Sequence, residues 1–352
     1  MMKRTRLRSV VAALLLAVTV ATVLTGWYTV QSRQDASTLA SRPGFQVDPA
    51  GGTPIDQGFA GAERYYWPNG DVLRGLPSRP VQAAWNVLAP DELVLGVTVG
   101  KEARAYPLNV LDDYIEQKAV NDTLDGQPIL VTFCDLCYSG IVYSRKVGGQ
   151  VLTLAADGRL WRKNMILYDQ ETESRWSQLT GRAQAGPLSG AALVILPSVV
   201  TDWQSWRREH PGGTVAFLPH DQRRFIRAYY RDFDDFVLGL DDGGQAGHWN
   251  LKTLSRVGVV NAEWHGQPVV AVLDRASTTA RVYRRNLAER LLSFTVDGEL
   301  IRDAETGSRW QPATGKAVAG QLTGYVLQPL SRAIIARREA WLAFHPDSVA
   351  VH

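Results

Sequence analysis

The chain has 352 residues, 45% of them hydrophobic, which exceeds one typical domain and excludes a disordered or low-complexity polymer. Four of the positive charges behind the formal net charge of +3 are Lys3, Arg4, Arg6 and Arg8, so the rest of the chain is near neutral. No basic stripe with interleaved aromatics follows, and nucleic acid is not an expected partner.

The first predicted element is a membrane helix. Residues 9–32 carry no charge, and 10–24 are almost all Val, Ala and Leu. A spanning helix needs roughly 20 apolar residues. The basic cluster ahead of it holds the N-terminus in the cytoplasm and sends the bulk of the chain outside. Trp27 and Tyr28 stand where an interfacial aromatic belt belongs. No Ala-x-Ala site follows Leu24, so the segment is expected to stay as an uncleaved anchor. Residues 1–32 are therefore read as cytoplasmic stub and anchor of a single-pass protein with extracytoplasmic domains.

Residues 33–90 read as tether and lead-in, broken at Gly51-Gly52-Thr53-Pro54 and Pro77-Ser78-Arg79-Pro80. From Leu93 short β-like runs begin. A helix is predicted over 107–116, a continuous apolar strand over 129–133, and another over 141–143. Gly148-Gly149 and Asp157-Gly158 read as hairpin turns. A second helix is predicted over 201–209, closed before Pro211.

The main organisational signal is an internal repeat. Val120-Asn121 and Gly126-Gln127-Pro128 recur as Val260-Asn261 and Gly266-Gln267-Pro268, and Asp157-Gly158 as Asp297-Gly298. Six residues are then missing from the second copy. After the gap Ser174-Arg175-Trp176 recurs as Ser308-Arg309-Trp310, and His210-Pro211 as His345-Pro346. The expected division is copy one over 91–218, a linker over 219–236 and copy two over 237–352. The fold class is α+β, mainly β: two tandem copies of one β-rich domain behind the membrane helix.

Cys134 and Cys137 are the only cysteines, in copy one alone. Outside the cytoplasm they can be oxidised to each other. A disulfide over so short a loop removes little unfolded-state entropy, which favours a redox or ligand role over a staple. Asp135 between them disfavours a thiolate, unless Arg145, Arg162 or Lys163 folds nearby. The rival reading is half of a metal site, with His210 or His220 and a carboxylate as further ligands. A third is that the pair does no chemistry.

Residues shared by both copies are expected to hold the fold, among them Glu171, Thr172, Arg175 and Trp176. Those in copy one alone are the better site candidates: Cys134, Cys137, Asp122, Gln178, and Asn164, Tyr168 and Asp169 within 161–169. Asp169, Glu171 and Glu173 alternate, as they would on one strand face. Asp232, Asp234 and Asp235 read as a solvated linker. No nucleophile elbow, zinc-protease helix, phosphate loop or dinucleotide fingerprint is present, and the sequence requires no cofactor.

Three stretches, "ARAYPLNVL" (103–111), "VNDTLDGQPILVTFCDLCYSGIVYSR" (120–145) and "LAADGRLWRKNMILYDQETESRWSQLTGRAQAGPL" (154–188), carry a resemblance. In their order and spacing copy one resembles the bacterial and archaeal family of domain of unknown function 3179. Copy two is similar to a degenerate second half of the same family. The resemblance implies an exported bacterial protein and redox use of Cys134 or Cys137. Relatives often place Pro after the first Cys and Gly after the second, where this chain has Asp135 and Tyr138. A His they often carry before the Val-Asn-Asp element has no match in 113–119. The expected function is thiol–disulfide redox through Cys134 and Cys137, with Asn164, Tyr168, Asp169, Gln178 and Asp122 lining or supporting the site. The alternatives are a non-enzymatic envelope binding or structural module, with an envelope protein as partner, and a metal site on the cysteine pair.

Overall fold

The structure is a computed structural model that describes residues 59–64, 73–84, 87–113, 118–218, 220, 224–231, 233–241, 245–287 and 289–351. The expected membrane helix lies outside them. Among the described residues no helix is long and apolar enough to cross a membrane.

Copy one contains β1 (Leu93–Val99), β2 (Glu102–Pro107), α1 (Leu108–Asp113), β3 (Ala119–Leu124), β4 (Gln127–Cys134), β5 (Ser139–Ser144), β6 (Leu154–Trp161), β7 (Asn164–Asp169), β8 (Arg175–Ser177), β9 (Ala183–Ala185), β10 (Ser198–Asp202), α2 (Trp203–Glu209) and β11 (Thr214–Ala216). Copy two repeats them as β12 (Phe236–Asp241), β13 (Ala246–Asn250), α3 (Leu251–Val257), β14 (Val259–Trp264), β15 (Gln267–Asp274), β16 (Thr279–Arg284), β17 (Phe294–Asp297), β18 (Leu300–Asp303), β19 (Arg309–Trp310), β20 (Ala317–Ala319), β21 (Ala333–Arg337), α4 (Arg338–Phe344) and β22 (Val349–Ala350).

Each copy builds the same three sheets. One runs β10-β1-β2-β11, matched by β21-β12-β13-β22. The second is a meander, β3-β4-β5, matched by β14-β15-β16, and the third is β6-β7-β8-β9, matched by β17-β18-β19-β20. β4 is buried along most of its length, as its unbroken apolar run requires. The β3–β4 turn is Asp125-Gly126 and its counterpart is His265-Gly266, with positive φ at all four residues. That backbone matches the twist of a tight hairpin.

The sequence expectations change in four places. The lead-in is more than a tether: Glu63–Arg64, Leu73–Arg74 and Ser78–Pro80 each add an edge strand to one sheet of copy one. The first helix is shorter than predicted within the described residues, because Pro107 ends β2 instead of opening α1. The second starts two residues late, because Thr201 pairs within β10 and Asp202 caps the helix, accepting from Ser205 N at 2.7 Å. Asp157-Gly158 is not a hairpin turn; the register of β6 against β7 shifts between Ala156 and Leu160, and the turn comes later at Arg162-Lys163. In copy two the turn follows at once at Gly298-Glu299, with Asp297 pairing Leu300, so the missing residues are the tip of this hairpin.

The copies share one core. Leu95, Val131 and Val142 of copy one cluster with Leu238, Val269 and Ala271 of copy two. The contact is reciprocal: β10 lies against β16, and β21 against β5. Thr279 Oγ1 donates to Thr201 Oγ1 at 2.8 Å across this boundary. Within each copy a tryptophan seats on a glycine. A Cβ on Gly96 would stand 2.0 Å from the Trp206 ring, and one on Gly239 would stand 2.5 Å from Trp341.

Candidate functional site

β4 ends at Cys134, a two-residue turn follows, and Cys137 closes it as a disulfide with a Cα–Cα distance of 5.6 Å. Cys134 is 2% exposed and Cys137 fully buried. The carbonyl of Cys137 accepts from Arg337 N of copy two at 2.9 Å, so the turn is also an inter-copy contact.

Around Cys137 lies a closed set of uncharged polar side chains. Asn164 opens β7 and donates its Nδ2 to Cys137 Sγ at 2.9 Å and to Gln178 Oε1 at 2.9 Å. Its Oδ1 accepts from Leu179 N at 3.0 Å. Gln178 Oε1 also accepts from Ser139 Oγ, and Gln178 Nε2 donates to Thr132 Oγ1, both at 3.0 Å. Ser139 Oγ stands 3.1 Å from Cys137 Sγ. Thr132, Ser139, Asn164 and Gln178 are all buried. Buried polar groups of this kind are costly unless paired, and each of these is paired.

Of the candidates from the comparison between copies, the structure brings Cys134, Cys137, Asn164 and Gln178 together. It missed Thr132 and Ser139, which sit among apolar strand residues and look like ordinary β positions. Their counterparts are Val272 and Thr279, so the same comparison would have flagged Thr132.

The other candidates lie elsewhere. Asp169 accepts from Trp176 Nε1 at 2.8 Å and from Thr172, and Asp303 does the same for Trp310 and Thr306. The gap ends before Asp169, so it is a residue of both copies and braces the fold. Tyr168 neighbours it on β7, with the Arg175 guanidinium over its ring. Asp122 belongs to a second group, paired with Arg104 Nη1 and accepting from Tyr106 OH, both at 2.7 Å. Glu171 and Glu173 fall in the turn after β7, so the three alternating carboxylates share no strand face. Glu171 accepts from Thr153 N, as Glu305 does from Ser293 N, which makes it structural as expected. Asp234 and Asp235 lie in a short 3₁₀ turn, Asp234 ion-paired with Lys252, while Asp232 lies outside the described residues.

The charges near the disulfide also differ from expectation. Lys118 pairs with Asp112 at 2.9 Å and reaches Asp135 at 3.7 Å, offsetting the carboxylate between the cysteines. Arg145 instead binds the carbonyls of Ile129 and Leu152. Arg162 donates to Ala343 O, and Lys163 pairs with Glu339, both in copy two. Neither expected histidine joins the cysteines: His210 stacks on Trp206, and His220 bonds Glu92. No cluster of three or more His, Cys, Asp or Glu suited to a metal occurs among the described residues.

Tyr138 has φ +54, and its counterpart Thr278 has φ +57. This left-handed backbone costs a side-chain-bearing residue about 1–2 kcal/mol. Packing of the Tyr138 ring on Phe225, Tyr229 and Phe236, with the Arg337 guanidinium 4.7 Å from its centre, offsets it.

A family model described as "Protein of unknown function (DUF3179)" matches residues 77–233 and again residues 226–351. No curated protein and no solved structure matches the chain.

Proposed function

The chain belongs to the DUF3179 family, in two tandem copies, and we propose that its first copy is a thiol–disulfide redox module, exported and held to the membrane by residues 9–32. The observation that carries this reading is the amide of Asn164 on Cys137 Sγ. It places a side-chain N–H on one sulfur of the pair, Cys134 Sγ accepting from the backbone N of Cys137 at 3.4 Å, and copy two has no equivalent: Asn164 falls in the residues missing there, and Pro312 stands in place of Gln178.

The chemistry follows from that asymmetry. A thiolate of a partner dithiol attacks Cys134 Sγ. The S–S bond breaks, and Cys137 departs as a thiolate stabilised by the Asn164 N–H, with the Ser139 hydroxyl free to turn toward it. The partner's second thiolate then attacks its own sulfur in the mixed disulfide and releases Cys134. The partner leaves oxidised by two electrons, and Cys134 and Cys137 remain reduced. Both sulfurs are buried, so the attack requires a local opening at the turn.

The test uses the full chain in detergent, equilibrated in thiol–disulfide buffers. The reading expects a reversible couple well above about −300 mV, the region of inert structural disulfides. Asn164→Ala should lower it by about 30 mV or more, the equivalent of one lost charge-assisted hydrogen bond. A pair reducible only on unfolding, or a couple indifferent to Asn164, would remove the redox reading.

A second reading, a non-enzymatic envelope binding or structural module, is favoured by the same turn in copy two. There Ser277 Oγ donates to Asp274 Oδ2 at 2.7 Å, closing the loop without sulfur. A metal clip has less support, since a structural site needs four ligands and the cysteines bond each other.

A further inference from the structure

The two copies meet at two pseudo-equivalent junctions, where the C-terminal end of a helix in one copy overlies the other copy's sheets. At the first, Phe344 of α4 packs into the cluster that contains Ile141. Trp161 meets the Phe344 ring edge-on at 5.1 Å, and Arg162 donates to Ala343 O at 3.1 Å. The long hairpin of copy one thereby seals that junction.

At the second junction the hairpin is the one that lost its tip. Glu209 stands in place of Phe344, and Arg281 in place of Ile141. A cleft of about 470 Å³ remains open between α2 and copy two. Arg208, Glu209 and His210 line one side, and Arg281, Tyr283 and Lys316 the other, with Val199 and Val326 among the apolar walls. No described residue bonds the carboxyl of Glu209. Both faces of the junction have thus exchanged an apolar residue for a charged one, and Arg281 Nε is held by Ala313 O at 3.0 Å.

We propose that this cleft binds a small organic carboxylate, its acid group on Arg281 and Lys316 and its hydrocarbon body against Val199, Val326 and Tyr283. Three cations against one carboxyl favour an anion. The volume and the apolar walls suit a carbon skeleton better than a bare inorganic oxyanion. Glu209 adds proton linkage. Burial raises its carboxyl to about 7, against the opposing fields of Arg281 and Arg208 and aided by Asp274 and Asp202. In its neutral form it can donate to the ligand. His210 is held below its ordinary range by burial and by Arg281, so it stays uncharged there.

The experiment titrates the full chain with succinate, adipate and benzoate, with inorganic phosphate and sulfate alongside, by calorimetry and thermal shift. At least one carboxylate should bind saturably, and more weakly as pH rises through 7 in the parent but not in Glu209→Gln. Arg281→Leu should weaken binding about tenfold or more. The double substitution E209F/R281I copies the sealed junction; it should keep the fold and abolish binding. No carboxylate binding, unchanged binding in E209F/R281I, or phosphate binding as tightly as the best carboxylate would overturn the assignment.

Discussion

Asp274 and Ser277 occupy the places of Cys134 and Cys137, and Ser277 Oγ donates to Asp274 Oδ2 at 2.7 Å across the same turn. One copy closes the loop with a covalent bond and the other with a hydrogen bond. The turn therefore needs a cross-brace of some kind, and what is special to copy one is the polar wrapping around its sulfurs. By loop entropy the disulfide contributes about 2 kcal/mol. Replacing the pair with its counterpart, C134D/C137S, should therefore cost less than Cys137→Ala alone, which leaves the amide of Asn164 one acceptor short. Urea denaturation should show Cys137→Ala lower by about 1–3 kcal/mol. The reverse order would mean that the sulfur environment does not depend on Asn164.

Asp169 and Asp303 make the same bonds to tryptophan and threonine. Asp169→Asn and Asp303→Asn should each lower stability by about 1–3 kcal/mol. Neither should move the disulfide potential. A change in potential with Asp169→Asn at constant stability would return Asp169 to the site.

Gly96 and Gly239 are required by the tryptophans that lie on them. Gly96→Ala and Gly239→Ala should each destabilise by about 1–3 kcal/mol or more, as overpacked cores do. Gly96 should be the more sensitive, because its added methyl meets a ring 2.0 Å away. Paired thermal melts check this order.

Glu209 gives stability a sign with pH. Its carboxyl titrates near 7 in the folded chain and near 4.5 unfolded, so the folded state binds the extra proton between those values. That contribution is present below pH 4.5 and is lost as pH rises through 7, a fall of roughly 3–4 kcal/mol at most. Glu209→Gln should flatten this part of the stability–pH profile. A parent profile already flat between pH 5 and pH 8 would show the carboxyl to be solvated.

Much of this was legible in the sequence. The repeat landmarks are turn glycines and buried aromatics, positions where backbone geometry permits few residues, so they survive divergence and announce the copies. Gln178 emerged because its counterpart is Pro312, and Asn164 because it lies in the segment that copy two lacks. Asp169 was misjudged because the gap could not be placed to the residue: only strand pairing shows that the extra length ends at Asn164. The inter-copy cleft could not be read at all, since Glu209 and Arg281 are brought together by the docking of the copies and by no local pattern. The edge strands of the lead-in were hidden for a similar reason, being two or three residues long and held by partners far along the chain.

The reciprocal packing of β10 on β16 and β21 on β5 has the symmetry of an isologous interface, with each half lending the same surface to the other. In effect the chain is a homodimer written as one polypeptide. Two copies on one chain need not be identical, and here the disulfide with its polar wrapping stands in copy one alone, while the cleft stands at only one of the two junctions.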